Sequence, residues 1–327
     1  MRYIIYGAGA IGGVVGARLF QQGLEVVLIA RGDHLSAIRR TGLTIQSPVG
    51  SVTLRVPVLG HPSEVAFRGA EDVVLLTTKT QDNPQALGDL RNAAGTKTPV
   101  VCLQNGVEGA RIALRLFERV YGAMVMLPAT HLEPGIVQQF SSPVPGLVDV
   151  GRYPTGEDSL ISSVCADLHR ASFHSEVRRD ILRWQHGKLL ENLQNALQAL
   201  CGPGADYADL LAELCAEAES CYRAAEIQWV SASELRARTR GLLSLGRIDG
   251  QPRTGGSSWQ SLARSAGSIE TDFLNGEIAL LGRLHGVRTP LNAMIQEVAE
   301  RVAREHRPPG SIRPDDLRKS LRSSSSP

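Results

Sequence analysis

At 327 residues the chain has room for about two domains of ordinary size, each with its own core. Lysine and arginine total 35 against 33 aspartates and glutamates, and the resulting +2 gives no broad attraction to phosphate backbones or anionic membranes. With 43% hydrophobic and 21% charged residues the composition is that of a folded globular chain, so neither nucleic acid nor a membrane is an expected partner.

The first half alternates short β-rich runs with helical segments. Residues 2–6 (RYIIY) form an apolar strand, 12–22 a helix of small residues and 25–30 (EVVLIA) a second strand, a βαβ unit. Further strands are expected over 43–47, 51–58, 72–77 and 98–103. The last two are continuous apolar runs, as in strands covered on both faces of a parallel sheet. Residues 135–151 alternate Pro and Gly with Val-rich pieces and read as antiparallel strands closing the domain. From about Asp180 the pattern changes to helices over 180–200, 206–229, 269–285 and 290–305. Gly286 stops the third, and Thr289-Pro290 caps and opens the fourth. The fold class is α/β: a Rossmann-type doubly wound sheet over residues 1–175, an all-α helical domain over 176–306, and a Pro/Ser-rich disordered tail over 307–327.

Five cysteines (Cys102, Cys165, Cys201, Cys215, Cys221) contain no CxxC pair, and three lie in helical stretches. They suit reduced thiols in a cytoplasmic protein better than disulfides or a metal site, and no metal is expected. The opening residues lack the apolar core of a signal peptide, and no stretch reaches the ~20 apolar residues of a membrane span.

Gly7-Ala8-Gly9-Ala10-Ile11-Gly12 follows a strand and opens a helix. The first glycine permits the tight turn, the second lets backbone approach a pyrophosphate, and the third allows close helix–sheet packing. A glycine-rich turn can be purely structural, but strand before and helix after are the context that dinucleotide binding requires. Past the second strand, where NAD enzymes usually carry a carboxylate, stands Arg31. Its donor fork matches the 2′-phosphate of NADP, while Asp33 leaves NAD open. Two later strand ends carry Thr78-Lys79 and Gln104-Asn105-Gly106, where an open α/β sheet presents ligand-binding groups.

In the second half, Lys188, Asn192 and Asn195 share one helix face by their spacing of four and seven, either a ligand stripe or a solvated face on which Glu191 pairs with Lys188. Ser257-Ser258 reads either as a linker or as a polar site. Glu270, in the first turn after Ser268, has the helix dipole as its simpler explanation.

Taken together, GAGAIG, Arg31, Thr78-Lys79, Gln104-Asn105-Gly106, Trp184 with Lys188 and Asn192, Ser257-Ser258 and Glu270-Thr271-Asp272-Phe273-Leu274-Asn275-Gly276 resemble the ketopantoate reductase (2-dehydropantoate 2-reductase) family over about residues 1–305. The resemblance implies NADPH-dependent reduction of a 2-oxo acid, most directly ketopantoate to pantoate, in a cleft between a Rossmann domain and a helical domain. It makes Lys188 the proton donor, kept charged by Glu270, gives Asn192 and Ser258 to the substrate, and sets Lys79, Asn105 and Glu270 along the cofactor and cleft. The family's second asparagine, eight residues after the lysine, is Ala196 here, with Asn195 one position earlier on the lysine face. Ser261-Leu262 replaces the usual Gln-Asp. These departures leave open a paralogue acting on another 2-oxo acid, and a non-catalytic NADP-sensing protein is the alternative from another class. The expected partner is a small molecule, with surface compatible with a homodimer.

Overall fold

A computed structural model of the chain describes residues 1–324, with side chains as far as residue 321. It contains two compact units. One is Met1–Gln185 together with Ala232–Arg253, and the other is His186–Ser231 together with the chain from Thr254 onward.

The first unit runs β1 (Arg2–Tyr6), α1 (Ala10–Gln21), β2 (Glu25–Ile29), α2 (Gly32–Thr41), β3 (Leu43–Ser47), β4 (Gly50–Leu54), β5 (Val58–Leu59), β6 (Asp72–Leu76), α3 (Asn83–Ala94), β7 (Val100–Cys102), α4 (Glu108–Leu114), β8 (Val120–Met126), β9 (Ala129–Thr130), β10 (Ile136–Gln139), β11 (Ser141–Pro143), β12 (Leu147–Arg152) and α5 (Ser159–Arg170). Seven strands form one sheet in the order β12-β8-β7-β6-β1-β2-β5, parallel except for β12, which runs antiparallel to β8. The central strands are apolar throughout because both faces are covered: Tyr3 and Ile5 enter one core cluster, Ile4 and Val74 the other. Register is pinned at one end of β1 and β6, where the paired residues Arg2 and Asp72 form a buried two-pronged ion pair (2.7 and 2.8 Å).

A second sheet, β4-β3-β10-β9, packs against α1. The run expected as one strand over 51–58 is therefore two, β4 in this sheet and β5 at the edge of the main one. The region 135–151 is likewise divided among three sheets. Sequence reading missed β8: its glycine and two methionines (VYGAMVM) dilute the β-branched signal, yet it is almost wholly buried.

The chain continues through α6 (Ile181–Asn192), α7 (Gln194–Cys201) and α8 (Ala208–Ala224) before α9 (Ala232–Thr239) and β13 (Leu243–Leu245) return to the first unit. Where one helix was expected over 180–200, the ladder is interrupted at Leu193, which keeps helical dihedrals. The boundary expected near residue 175 falls inside α6 instead, and 232–253, expected in the helical domain, belongs with the sheet. Strand pairing and a buried ion pair are among the contacts that hold that segment. β13 pairs with β11, and Arg238 forks onto the fully buried Asp149 of β12 (2.6 and 2.9 Å), which also accepts from Arg178. Both depend on residues about 90 to 100 positions apart, which no local pattern reveals.

The second unit is completed by α10 (Ser257–Ala263), α11 (Asn275–His285), α12 (Pro290–Arg304) and α13 (Pro314–Ser324). The helix expected over 269–285 is a 3-10 turn, Glu270–Phe273, followed by α11, which Gly286 ends in a left-handed conformation as anticipated. Thr289 makes no capping hydrogen bond with its side chain. The α12 amides of Leu291 and Asn292 donate instead to the Glu217 carboxylate on α8, at 2.9 and 3.0 Å. The disordered tail expected over 307–327 is also corrected, since α13 occupies Pro314–Ser324 with Leu317 buried. Residues 325–327 lie outside the described residues. Among the described residues no helix is long and apolar enough to cross a membrane.

Candidate active site

Parallel pairing levels the carboxyl ends of the strands: Tyr6 pairs with both Ile29 and Leu76, and Leu76 with Cys102. The segments leaving these strands therefore emerge side by side, Gly7 after β1, Arg31 after β2, Lys79 after β6 and Asn105 after β7. Gly7 turns at φ +108°, where a Cβ would press 2.8 Å from the Thr78 nitrogen. Thr77 closes the turn by donating its hydroxyl to the Gly7 carbonyl at 2.7 Å. Gly12 abuts Gly7, Thr77 and Ile5, so any side chain there would push α1 off the sheet. Gly9 differs, because nothing lies within 4 Å of where its Cβ would be, and it precedes a first turn with no capping side chain and no acid. Ala8, Ala10 and Ile11 complete this turn, Ala8 donating its amide to the Ile29 carbonyl.

Arg31 is 85% exposed and bonds Asp82 at 2.9 Å. Behind Lys79 and Asn105 lies a buried amide network that sequence reading missed. Asn83 and Gln104 exchange hydrogen bonds through both side-chain amides (3.1 and 2.7 Å), and Gln104 also donates to the Thr78 carbonyl at 2.6 Å. The two strand ends carrying Lys79 and Asn105 are thereby locked together. His34 was missed as well. Its Nδ1 accepts from the Gly135 amide at 2.9 Å, which leaves Nε2 to donate to the Ala8 carbonyl at 2.7 Å, and its ring lies 4.1 Å from that of His131. The only sequence signal for Asn83 and His34 was a polar residue in the first turn of a helix after a strand end.

In the second unit, Lys188 on α6 has an 18% exposed side chain and pairs with Glu191 at 2.9 Å. The Glu191 pairing is the one its i, i+3 spacing allowed. Asn192 is buried at the end of α6 and Asn195 half-buried at the start of α7. α7 packs against α10, and Gln198 accepts the Gly256 amide at 2.7 Å. A Cβ on Gly256 would stand 3.6 Å from Asn195 Oδ1, so the fold brings Asn195 beside the Gly255–Ser258 turn. Ser258 is only 2% exposed, and its Oγ, like those of Ser257 and Thr271, has no hydrogen-bond partner. Buried hydroxyls without partners are rare in folded proteins because the desolvation cost is uncompensated, so they point to a polar ligand. Glu270 is 7% exposed, next to Thr271. Ala196, by contrast, is turned into the core.

Comparison with known proteins bears on the whole chain. The model of the ketopantoate reductase PanE/ApbA family matches residues 3–154, and that of the family's C-terminal domain matches residues 180–303. The chain belongs to the ketopantoate reductase family. It is 29% identical over 306 residues to 2-dehydropantoate 2-reductase of Pyrococcus horikoshii, covering 90% of this chain and 95% of the relative. To that of Caulobacter vibrioides it is 27% identical over 312 residues, covering 89% and 95%. The crystal structure of a family member from Ralstonia eutropha superposes with a TM-score of 0.77 at 26% identity, over 94% of this chain and 99% of that one. D-mandelate dehydrogenase with NADH and anilino(oxo)acetate superposes at 0.80 over the same shares. At 24% identity, that likeness establishes fold alone.

Membership in the ketopantoate reductase family makes the chain an oxidoreductase with NADPH as its cofactor. The first unit fits that group. The open side of Gly9 gives backbone access, the acid-free, uncapped first turn of α1 suits a pyrophosphate, and Arg31 stands past β2 with its guanidinium exposed.

Proposed function

We propose that the protein reduces a 2-oxo acid to the corresponding 2-hydroxy acid with NADPH, and that ketopantoate is the leading substrate. The observation that carries this reading is the partnerless, buried Ser258 hydroxyl in a turn to which α7 brings Asn195. Gly7 to Gly12 would receive the pyrophosphate on backbone amides and Arg31 the 2′-phosphate, with Lys79 and Asn105 along the cofactor's length. Bound NADPH supplies a hydride to the keto carbon. As the carbonyl oxygen gains charge, the Lys188 ammonium stabilises it and delivers the proton that completes the alcohol, so substrate, hydride and one proton balance the product. Glu191 aligns the lysine through its 2.9 Å contact. Ser258 donates to the substrate, Asn192 and Asn195 read its distal hydroxyl, and Glu270 adds a carboxylate to the same machinery.

The test is NADPH oxidation followed at 340 nm over a panel of 2-oxo acids, including ketopantoate, branched homologues lacking the hydroxyl and an aryl 2-oxo acid. The reading expects turnover, fastest with ketopantoate. Preference for another acid would identify a paralogue with a different substrate. Tight NADPH binding without turnover on any acid would make the protein a sensor and overturn the reading.

A further inference from the structure

In the main sheet β1 lies between β2 and β6, and a side-chain contact reaches across its carboxyl end. Arg31, just past β2, donates from Nη2 to Oδ2 of Asp82, the last residue of the 3-10 turn Thr80–Asp82 after β6, at 2.9 Å. The two residues are 51 positions apart, so the fold and not local chain geometry makes the pair. Tyr6, the last residue of β1, feels both charges. Burial first, then Asp89, push its phenol up to about 12, with Arg31 opposing the rise and Asp82 adding to it.

Asp82 is also the N-cap residue of α3, where an aspartate ordinarily turns its carboxylate onto the first free amides of the helix. It makes no such cap. The carboxylate goes to Arg31 instead, and the positive end of α3 favours its ionised form. Asp33, the acid nearer to Arg31 in sequence, is exposed in the first turn of α2 and is not the partner in this contact.

The end of the second strand of a dinucleotide-binding sheet carries the group that reads the 2′ position of the adenosine ribose. A carboxylate accepts from a 2′-hydroxyl, whereas a guanidinium pairs with a 2′-phosphate. Here both groups are present and bonded to each other. A 2′-phosphate has to displace the Asp82 carboxylate to take Arg31, and it meets a like charge as it does so. A 2′-hydroxyl meets neither cost, because it donates to a carboxylate while the ion pair stays closed. We infer that Asp82 is a specificity-determining residue for the cofactor, a counter-ion on Arg31 that narrows the preference for the 2′-phosphorylated dinucleotide over the unphosphorylated one. This rests on Arg31 meeting the 2′-phosphate, as proposed above.

The test measures binding apart from turnover, in wild type, Asp82→Asn and Asp82→Ser. Calorimetric titration uses adenosine 2′,5′-bisphosphate and 5′-AMP, which differ only in the 2′-phosphate, and fluorescence titration uses NADPH and NADH. Both variants should bind the bisphosphate and NADPH about fivefold more tightly, the upper range for an exposed ion pair, with 5′-AMP and NADH no tighter. Unchanged affinity for the 2′-phosphorylated ligands overturns the inference, and lower affinity does so too, by making Asp82 a support for Arg31. Equal gains for all four ligands also overturn it, since a merely structural role does not distinguish a 2′ substituent. Arg31→Ala separates this inference from the reading beneath it. If that variant loses affinity for the bisphosphate but not for 5′-AMP, while the Asp82 variants change nothing, Arg31 keeps its assignment and Asp82 loses its own. If Arg31→Ala weakens both ligands equally or neither, the 2′-phosphate contact itself falls, and this inference with it.

Discussion

Replacing Lys188 with alanine takes away the one ammonium assigned to the reacting oxygen, while the glycine turn and Arg31 of the first unit are untouched. Turnover should fall roughly 10²–10⁴-fold, the usual contribution of a positioned proton donor, with NADPH affinity preserved in a fluorescence titration. Near-normal kcat would remove Lys188 from the mechanism. Arg31 makes a different prediction, because its guanidinium is exposed and already engaged by Asp82. The proposed contact with a 2′-phosphate would be partly screened, so Arg31→Ala should raise KM for NADPH about tenfold and leave KM for NADH unchanged. Equal changes for both cofactors would count against a 2′-phosphate contact. At this scale the candidate residues were legible because each carries its chemistry in its type and place: a glycine where backbone must approach, a lysine or asparagine at a strand end. The residues that hold them were not. Asn83 and Gln104 pair across 21 positions and His34 reaches Gly135 across 101, and an amide or imidazole looks the same in sequence whether it braces a turn or faces water.

Among the elements, α13 departs most from expectation, and the reason is physical. Its composition is polar, but one apolar side chain, Leu317, is buried, and Arg318 reaches Asp209 of α8 through two bonds of 2.9 and 2.7 Å. Such a helix looks like a tail in a residue-by-residue reading, since its described residues are mostly polar. The hydrogen bond from Arg318 holds the Asp209 carboxyl at about 2, below its ordinary 3.8. With the folded value below the free one, the pair is intact above pH 3.8, and its contribution is lost as pH falls through about 2. Arg318→Ala should therefore make the chain after residue 313 more sensitive to limited proteolysis at neutral pH, and wild type should lose that protection only in strong acid. Unchanged cleavage in the variant would show that the helix is secured without the Arg318–Asp209 pair. The same logic explains the cap of α12. Thr289-Pro290 correctly marked where the helix starts, but Glu217, more than seventy residues earlier, satisfies its amides.

Across the whole molecule, periodicity and strand–turn–helix order were enough to read an α/β half followed by a helical half, because hydrophobic spacing and the glycine turn are local properties of the chain. The pattern of GAGAIG, Arg31, Lys79, Asn105, Lys188 and Ser258 likewise points to the family from sequence alone. Tertiary structure decided where the units divide, since 232–253 belongs to the sheet through Arg238, Asp149 and the β11–β13 pairing, and none of these signals its partner locally. It also decided that the Ser258 hydroxyl is buried without a hydrogen-bond partner and that Glu191 pairs with Lys188. Burial and pairing are relations between distant residues, and only the folded chain sets them.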